Sequence, residues 1–499
     1  MPSQPVRFSP SAWQVVALDA AVGALAYALV TWLRFLDEGV PATYAQRLLP
    51  WLVIGALTQV GAGELMNRLR KPGSALARRP VAPFILAGGA ALLPMAFNEL
   101  LGEPWHLPRS VAAVAPLLAT AASAALRLAA DRGFEPEELL RRPIARLDVQ
   151  ACAPALAGKR VLITGGAGSI GAELARQVLS VGPAAVLAVD MNETGLYELQ
   201  GDLSSLASGS VVRTFIADVA DERRMHELFQ HEKPDVVFHA AAYKHVPLVE
   251  ANPDQAFVSN VLGTLIICEA AAAAGADRVV VISTDKAVNP SSFMGVTKRV
   301  SELIALAMAR RAHAATAFSV VRFGNVLGSR GSVVPTLLRQ IETGGPLTLT
   351  HPQARRFFMT LSEAASLVLL ASVLGSPTGV FVLEMGDDVR IAELAERLVR
   401  LRGLRLGRDV GLQIVGLRPG EKLREELCGA DEALLPTTHA AIRRVETRYE
   451  VDPQAVIADV RALDAERREG RLAAGDYSAR LRAAIERAVR PAVVAALSS

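Results

Sequence analysis

Lys159-Arg-Val-Leu-Ile-Thr-Gly-Gly-Ala-Gly-Ser-Ile-Gly171 is the stretch that decides the fold of this 499-residue chain. Lys159–Thr164 reads as a short apolar strand, and Ala172–Leu179 as the body of a helix. Between them, Gly165, Gly168 and Gly171 permit a tight turn. The backbone N–H groups of Ser169, Ile170 and Gly171 then open the helix, where they suit the pyrophosphate of a dinucleotide. A glycine pattern alone is weak; its seat between strand and helix gives it weight.

Working outward, a second strand, Ala185–Val189, ends at Asp190, nineteen residues after Gly171. A carboxylate there accepts both ribose hydroxyls and repels a 2′-phosphate, which favours NAD over NADP. A third strand ends at Asp218-Val219, a candidate adenine contact, and a fourth runs over 236–242. The small side chains of Ala240, Ala241 and Ala242 let a dinucleotide lie against the backbone. A fifth strand, Arg278–Ser283, leads into Thr284-Asp285-Lys286. Strands alternating with helices predict an α/β fold with a doubly wound parallel sheet, its ligands at the strands' C-terminal ends.

Asp285 and Lys286 place an acid beside an amine near the hydride acceptor, a pairing suited to proton removal and leaving-group protonation. Further on stands Met294-Gly-Val-Thr-Lys298, where short-chain dehydrogenases normally carry Tyr, three residues and Lys. A thioether cannot take a hydroxyl proton, so the base for that step is not identified by sequence.

Hydrophobic residues make up 51% of the chain and concentrate in its first 130 residues. Four apolar stretches, 12–33, 48–66, 81–101 and 110–130, are each long enough to cross a hydrocarbon core of about 30 Å. The loop after the second carries Arg68, Arg70, Lys71, Arg78 and Arg79, and the segment after the fourth is also basic. The positive-inside rule then puts both termini in the cytoplasm. A net charge of +3 gives no global case for nucleic-acid binding. Cys152, Cys268 and Cys428 lack metal-ligand spacing and support no disulfide framework, which fits a reducing compartment. No metal site is expected.

The motifs at 164–171, 239–250 (His-Ala-Ala-Ala-Tyr-Lys-His-Val-Pro-Leu-Val-Glu) and 283–290 (Ser-Thr-Asp-Lys-Ala-Val-Asn-Pro) recur together in one family. So do 322–335, 356–360 and 416–423. In these the chain resembles the membrane-bound nucleotide-sugar 4,6-dehydratases of bacterial polysaccharide biosynthesis, which are extended short-chain dehydrogenases/reductases. The likeness covers about residues 158–430. It implies four transmembrane helices (1–133), a linker (134–157) and an NAD-binding catalytic domain with a small substrate lobe (158–435), while the alternating charges of the last fifty residues predict a C-terminal helical tail (436–499). Longer members insert another Rossmann-like domain where this chain has only the linker.

The resemblance also implies the chemistry: oxidation at sugar C4, loss of the C5 proton and the C6 hydroxyl, and return of hydride to C6. Lys286 becomes the C5 base, Asp285 the C6 acid, Thr284 a partner of the C4 oxygen and Lys298 the holder of the nicotinamide ribose. A lysine base needs a depressed pKa, expected here from burial and the cationic nicotinamide. Met294 is associated with UDP-N-acetylglucosamine and retention at C5. Lys244, His245, Asn325, Arg330, Ser332, Arg356, Arg418 and Glu421 are the expected contacts of the UDP-sugar. A homodimer through two Rossmann helices and a location in the bacterial inner membrane follow by the same resemblance. A nucleotide-sugar C4-epimerase and a catalytically silent sugar-nucleotide-binding scaffold are the alternatives.

Overall fold

The computed structural model describes residues 12–34, 51–57, 59–60, 111, 114–119, 122, 139–140, 142–144 and 147–491, apart from 207–208, 312–314 and 375–377. The chain forms two compact units that divide between Phe134 and Glu135.

In the N-terminal unit, Ala12–Arg34 is a continuous helix of 23 residues, matching the first apolar stretch. Parts of the second and fourth stretches are helical, and the third lies outside the described residues. Gly23 and Gly55 let two backbones approach so closely that a Cβ on Gly23 would sit 2.3 Å from the Gly55 carbonyl oxygen. Tyr27 and Trp51 stack beside that contact with ring centroids 6.1 Å apart. Polar side chains face inward: Asp19, Thr31 and Gln59 are buried, and Gln59 Nε2 donates to the Ala119 carbonyl at 3.3 Å. Apolar ones face outward, among them Leu25, Leu29, Trp32, Val53, Leu57 and Leu117. Among the described residues, the run apolar and long enough to span a bilayer is Pro253–Ala273, and it is mostly buried. It is a core helix.

The second unit is built on a nine-stranded sheet. Its parallel strands are β1 (Arg160–Thr164), β2 (Ala185–Asp190), β3 (Val211–Ile216), β4 (Val236–His239), β5 (Arg278–Thr284), β6 (Ala317–Phe323) and Gly379–Leu383. Ile442–Thr447 and Glu432–Pro436 extend one edge antiparallel, giving the order 3-2-1-4-5-6 for the labelled strands. Most of these strands are apolar runs because helices cover both faces. Leu162, Val237 and Val279 point into one core, with helices Gly263–Ala273 and Phe293–Arg310. Val161, Phe238 and Val280 point into the other, with Ser169–Leu179 and Leu361–Ser372. The chain reverses direction across the sheet between β1 and β4, which opens the ligand crevice at their C-terminal ends.

Two boundaries differ from expectation. The stretch 134–157 is not a bare linker: Leu139, Leu140, Cys152 and Leu156 are buried, and Arg142 makes a paired contact with Glu363 at 2.8 and 3.1 Å. Residues after 435 do not begin as a helical tail, since Ile442–Thr447 belongs to the main sheet. Helices Pro453–Arg468 and Asp476–Ala488 follow, and their apolar rows (Val456, Val460, Leu463, Leu481) pack into the core that holds Phe293–Arg310. Their charged faces, with pairs such as Arg480–Glu466, remain outside.

Candidate active site

The glycine turn is packed from below and behind. Gly165 has φ +67°, and a Cβ there would lie 2.7 Å from the backbone of Ala240 and Ala241. A Cβ on Gly171 would lie 2.1 Å from the Gly165 carbonyl oxygen. No side chain fits at either position, so the helix N-terminus presents bare backbone to the crevice. Asp190 ends β2 and accepts from the Ala167 N–H at 3.0 Å and the Asn192 N–H at 2.9 Å. Asp218 accepts from the Ala220 N–H at 2.9 Å, and Val219 is buried against Gly263. Ala240 and Ala241 bond back to Thr164, which keeps the β4 loop flat against β1. These residues form a cradle of the shape and polarity that a dinucleotide needs.

Arg330 lands on this cradle. Its N–H donates to Ser169 Oγ at 3.1 Å and its guanidinium to the Ala167 carbonyl at 3.2 Å. The next residue, Gly331 (φ +70°), leaves 2.6 Å between its would-be Cβ and the His245 ring. The 328–332 loop thus bridges the glycine turn and the loop after β4. Ser332 Oγ, at the end of this loop, is buried without a hydrogen-bond partner. Lys244 and His245 are exposed beside it.

The reactive groups sit at the end of β5. Thr284 Oγ1 donates to Asp285 Oδ1 at 2.9 Å, and Lys286 Nζ donates to the same oxygen at 2.9 Å and to Asn325 Oδ1 at 3.3 Å. Glu425, not among the residues expected from sequence though it follows the 416–423 motif, stands 3.6 Å from the same amine. Asp285 Oδ2 and Glu425 Oε2 are both buried and unpaired. Burial pulls the Lys286 pKa down, but the charges of Asp285 and Glu425 outweigh it and hold the amine above its ordinary value. In the protein's own field, two carboxylates face one amine. Glu425 is itself pushed up, chiefly by burial, against the opposing charges of Lys286 and Arg356.

Helix Phe293–Arg310 fixes this cluster from one side. A Cβ on Gly295 would lie 2.3 Å from the Lys286 carbonyl oxygen, so helix and reactive turn touch backbone to backbone. Met294 is buried in the core beneath. Lys298 is buried too; burial lowers its pKa to about 8, with Glu302 opposing. Among the described residues its Nζ makes no hydrogen bond, leaving it available to a bound ribose. Asn260, also overlooked, accepts from the Tyr243 N–H at 2.7 Å and donates to Thr297 Oγ1 at 3.0 Å, which ties the β4 loop to this helix.

The remaining substrate candidates divide. Arg356 is buried and held by Glu421 at 3.1 Å, the Leu423 carbonyl at 3.2 Å and the Arg355 carbonyl at 2.7 Å. Glu421 also accepts from Thr350 Oγ1 at 2.9 Å. Asn325, Arg356 and Glu421 thus join the Lys286 cluster, while Arg418 is exposed at its rim.

A nucleotide-type α/β fold with an acid–amine pair at the switch-point crevice defines a dehydrogenase-like enzyme class. Residues 161–447 match the family described as polysaccharide biosynthesis protein, and the chain belongs to that family. It is 45% identical over 299 residues to the capsular polysaccharide biosynthesis protein CapD of Staphylococcus aureus, covering 60% of this chain and 50% of that one. The chain thus spans about half the length of that curated relative. UDP-glucose 4-epimerase of Rickettsia canadensis is 36% identical over 279 residues, 55% of this chain and 79% of the relative. UDP-N-acetylglucosamine 4,6-dehydratase (inverting) of Campylobacter jejuni is 32% identical over 305 residues, 60% of this chain and 85% of the relative. Among solved structures, Pen from Bacillus thuringiensis superposes with a TM-score of 0.51 at 33% identity, covering 55% of this chain and 83% of that one. The family resemblance read from the motifs holds.

Proposed function

We propose that this protein is an NAD-dependent UDP-N-acetylhexosamine 4,6-dehydratase, acting on UDP-N-acetylglucosamine with retention at C5. One observation carries the reading: Thr284, Asp285 and Lys286 form a hydrogen-bonded chain, with a buried carboxylate oxygen left unpaired. Gly165, Gly168, Gly171, Asp190 and Lys298 would hold NAD, which supplies reversible oxidation of the sugar. Thr284 meets the C4 hydroxyl and passes its proton to Asp285, so the chain needs no phenol where Met294 stands. Lys286 takes the C5 proton, and Asp285 protonates the departing C6 oxygen. The C4 proton therefore leaves in the water formed. Incubating the full chain in detergent with UDP-N-acetylglucosamine and identifying the product tests this. An unchanged C6 hydroxyl would overturn it.

A C4-epimerase would leave the Asp285–Lys286 pair without a task, and the C4 epimer as product would establish it. The N-terminal unit reads as a four-helix anchor in the bacterial inner membrane with the catalytic domain cytoplasmic. Its outward Leu25, Leu29 and Leu57 and inward Asp19 and Gln59 support this. Periplasmic labelling of a cysteine placed in the 67–80 loop would overturn the orientation. A homodimer remains part of the reading, but helix Phe293–Arg310 already packs on the C-terminal helices. Light scattering of the detergent-solubilised protein tests it.

A further inference from the structure

We propose that Glu425 is the proton store of Lys286: it takes the amine's proton when Asp285 is neutralised and returns it when the cycle closes. This rests on the dehydratase reading, and it answers a difficulty that reading leaves. Lys286 must be a free amine to accept the C5 proton, yet it stands 2.9 Å from a carboxylate that favours the ammonium.

The geometry supplies the missing acceptor. Lys286 Nζ lies 2.9 Å from Asp285 Oδ1 and 3.6 Å from Glu425 Oε1. Glu425 is 5% exposed, and its second oxygen has no hydrogen-bond partner. Arg356 Nε lies 3.8 Å away, and the terminal nitrogens of the same guanidinium are held by Glu421 and two carbonyls. The groups facing Lys286 are Asp285, Glu425 and Arg356, and those facing Glu425 are Lys286, Asp285, Arg356 and Lys422. When Asp285 accepts the C4 proton through Thr284, the ammonium loses its nearest counter-charge. In a desolvated site the neutral amine and carboxylic acid then replace the ion pair.

The protons balance. The C4 hydroxyl proton goes to Asp285 and leaves on the C6 oxygen as water. The Lys286 proton goes to Glu425, which frees the amine for the C5 proton. Lys286 then returns a proton to C5, and Glu425 returns the stored proton to Lys286. Glu425 never needs to touch the sugar, so it is a positioning residue acting through Lys286.

The test compares wild-type full-length protein in detergent with Glu425→Gln and Glu425→Asp. For Glu425→Gln we expect kcat at neutral pH to fall by about 100-fold, within the usual range for an acid–base partner. KM should stay within about threefold, and activity should recover at alkaline pH, where solvent has already freed the amine. Glu425→Asp should be intermediate and reads the same profile should the amide not fold. A Gln variant with wild-type kcat, or one inactive at every pH, overturns the proposal. A second readout needs no turnover: competitive labelling of Lys286 with an amine reagent against pH, followed by mass spectrometry. Loss of the Glu425 charge should move half-labelling to lower pH, and an unmoved midpoint overturns the coupling. Wild-type protein inactive on UDP-N-acetylglucosamine would sink the substrate reading alone, leaving the labelling result to decide on Glu425.

Discussion

Glu302→Gln should destabilise the catalytic domain. Glu302 is fully buried on helix Phe293–Arg310 and accepts from Arg322 through both oxygens at 2.7 Å. Arg299 donates to it at 2.9 Å and Ser283 Oγ at 2.6 Å. Arg322 also pairs with Glu432, at 2.7 and 2.9 Å, so two cations balance two anions across helix, β6 and the C-terminal strands. The amide removes one anion and leaves a net positive charge in the core. Breaking such a pair costs about 3–5 kcal/mol, against a total stability of about 5–15 kcal/mol. At about 1.3 °C per kcal/mol for a unit of this size, the unfolding temperature should fall by about 4–7 °C. Differential scanning calorimetry of the full chain in detergent measures it. Adding Arg322→Met to Glu302→Gln removes the stranded charge and should recover at least part of the loss. A single variant within about 2 °C of wild type, or a double variant worse by the sum of the two single losses, would refute the reasoning.

Further outcomes follow from the same geometry. Glu432 is held at about 2: burial pushes it up, but bonds and charge from Arg322 and Arg299 outweigh that. Its folded-state pKa is depressed, so its contribution is present above about pH 4.3 and lost as pH falls toward 2, about 3 kcal/mol in all. Urea midpoints should therefore drop between pH 5 and 3 by less in Glu432→Gln than in wild type; equal slopes would contradict the assignment. Arg330→Ala should release NAD faster while leaving the sugar-nucleotide KM within about threefold, because the guanidinium sits on the glycine turn. A raised KM with unchanged NAD release would return Arg330 to the substrate. Asp190→Ser should weaken NAD and admit NADP, read by fluorescence titration; retained discrimination would place the ribose contact elsewhere.

What the sequence disclosed was local. The strand, glycine turn and helix at 159–179 carry their signal within twenty-one residues, and Asp190, Asp285 and Lys286 are fixed by the strands they end. What it hid depends on contacts between distant segments. Glu425 reaches Lys286 only because the 416–428 loop is tied down by Ser291 on Gly420 and by Lys422 on the Val288 carbonyl. The four-residue spacing of Glu421 and Glu425 was the available hint. Asn260 and Thr264 are polar residues within a mostly apolar helical run, a polarity visible in the sequence. The second carboxylate facing Lys286 was hidden for the same reason. The contact of Arg330 with Ser169 was hidden too, because nothing local shows that its loop folds back there.

The central claim is tested most directly by NMR of the full chain in detergent with UDP-N-acetylglucosamine in deuterated water. The account predicts a 4-keto-6-deoxy product carrying deuterium at C5 with the starting configuration there. Recovery of the C4 epimer with its C6 hydroxyl intact would contradict it.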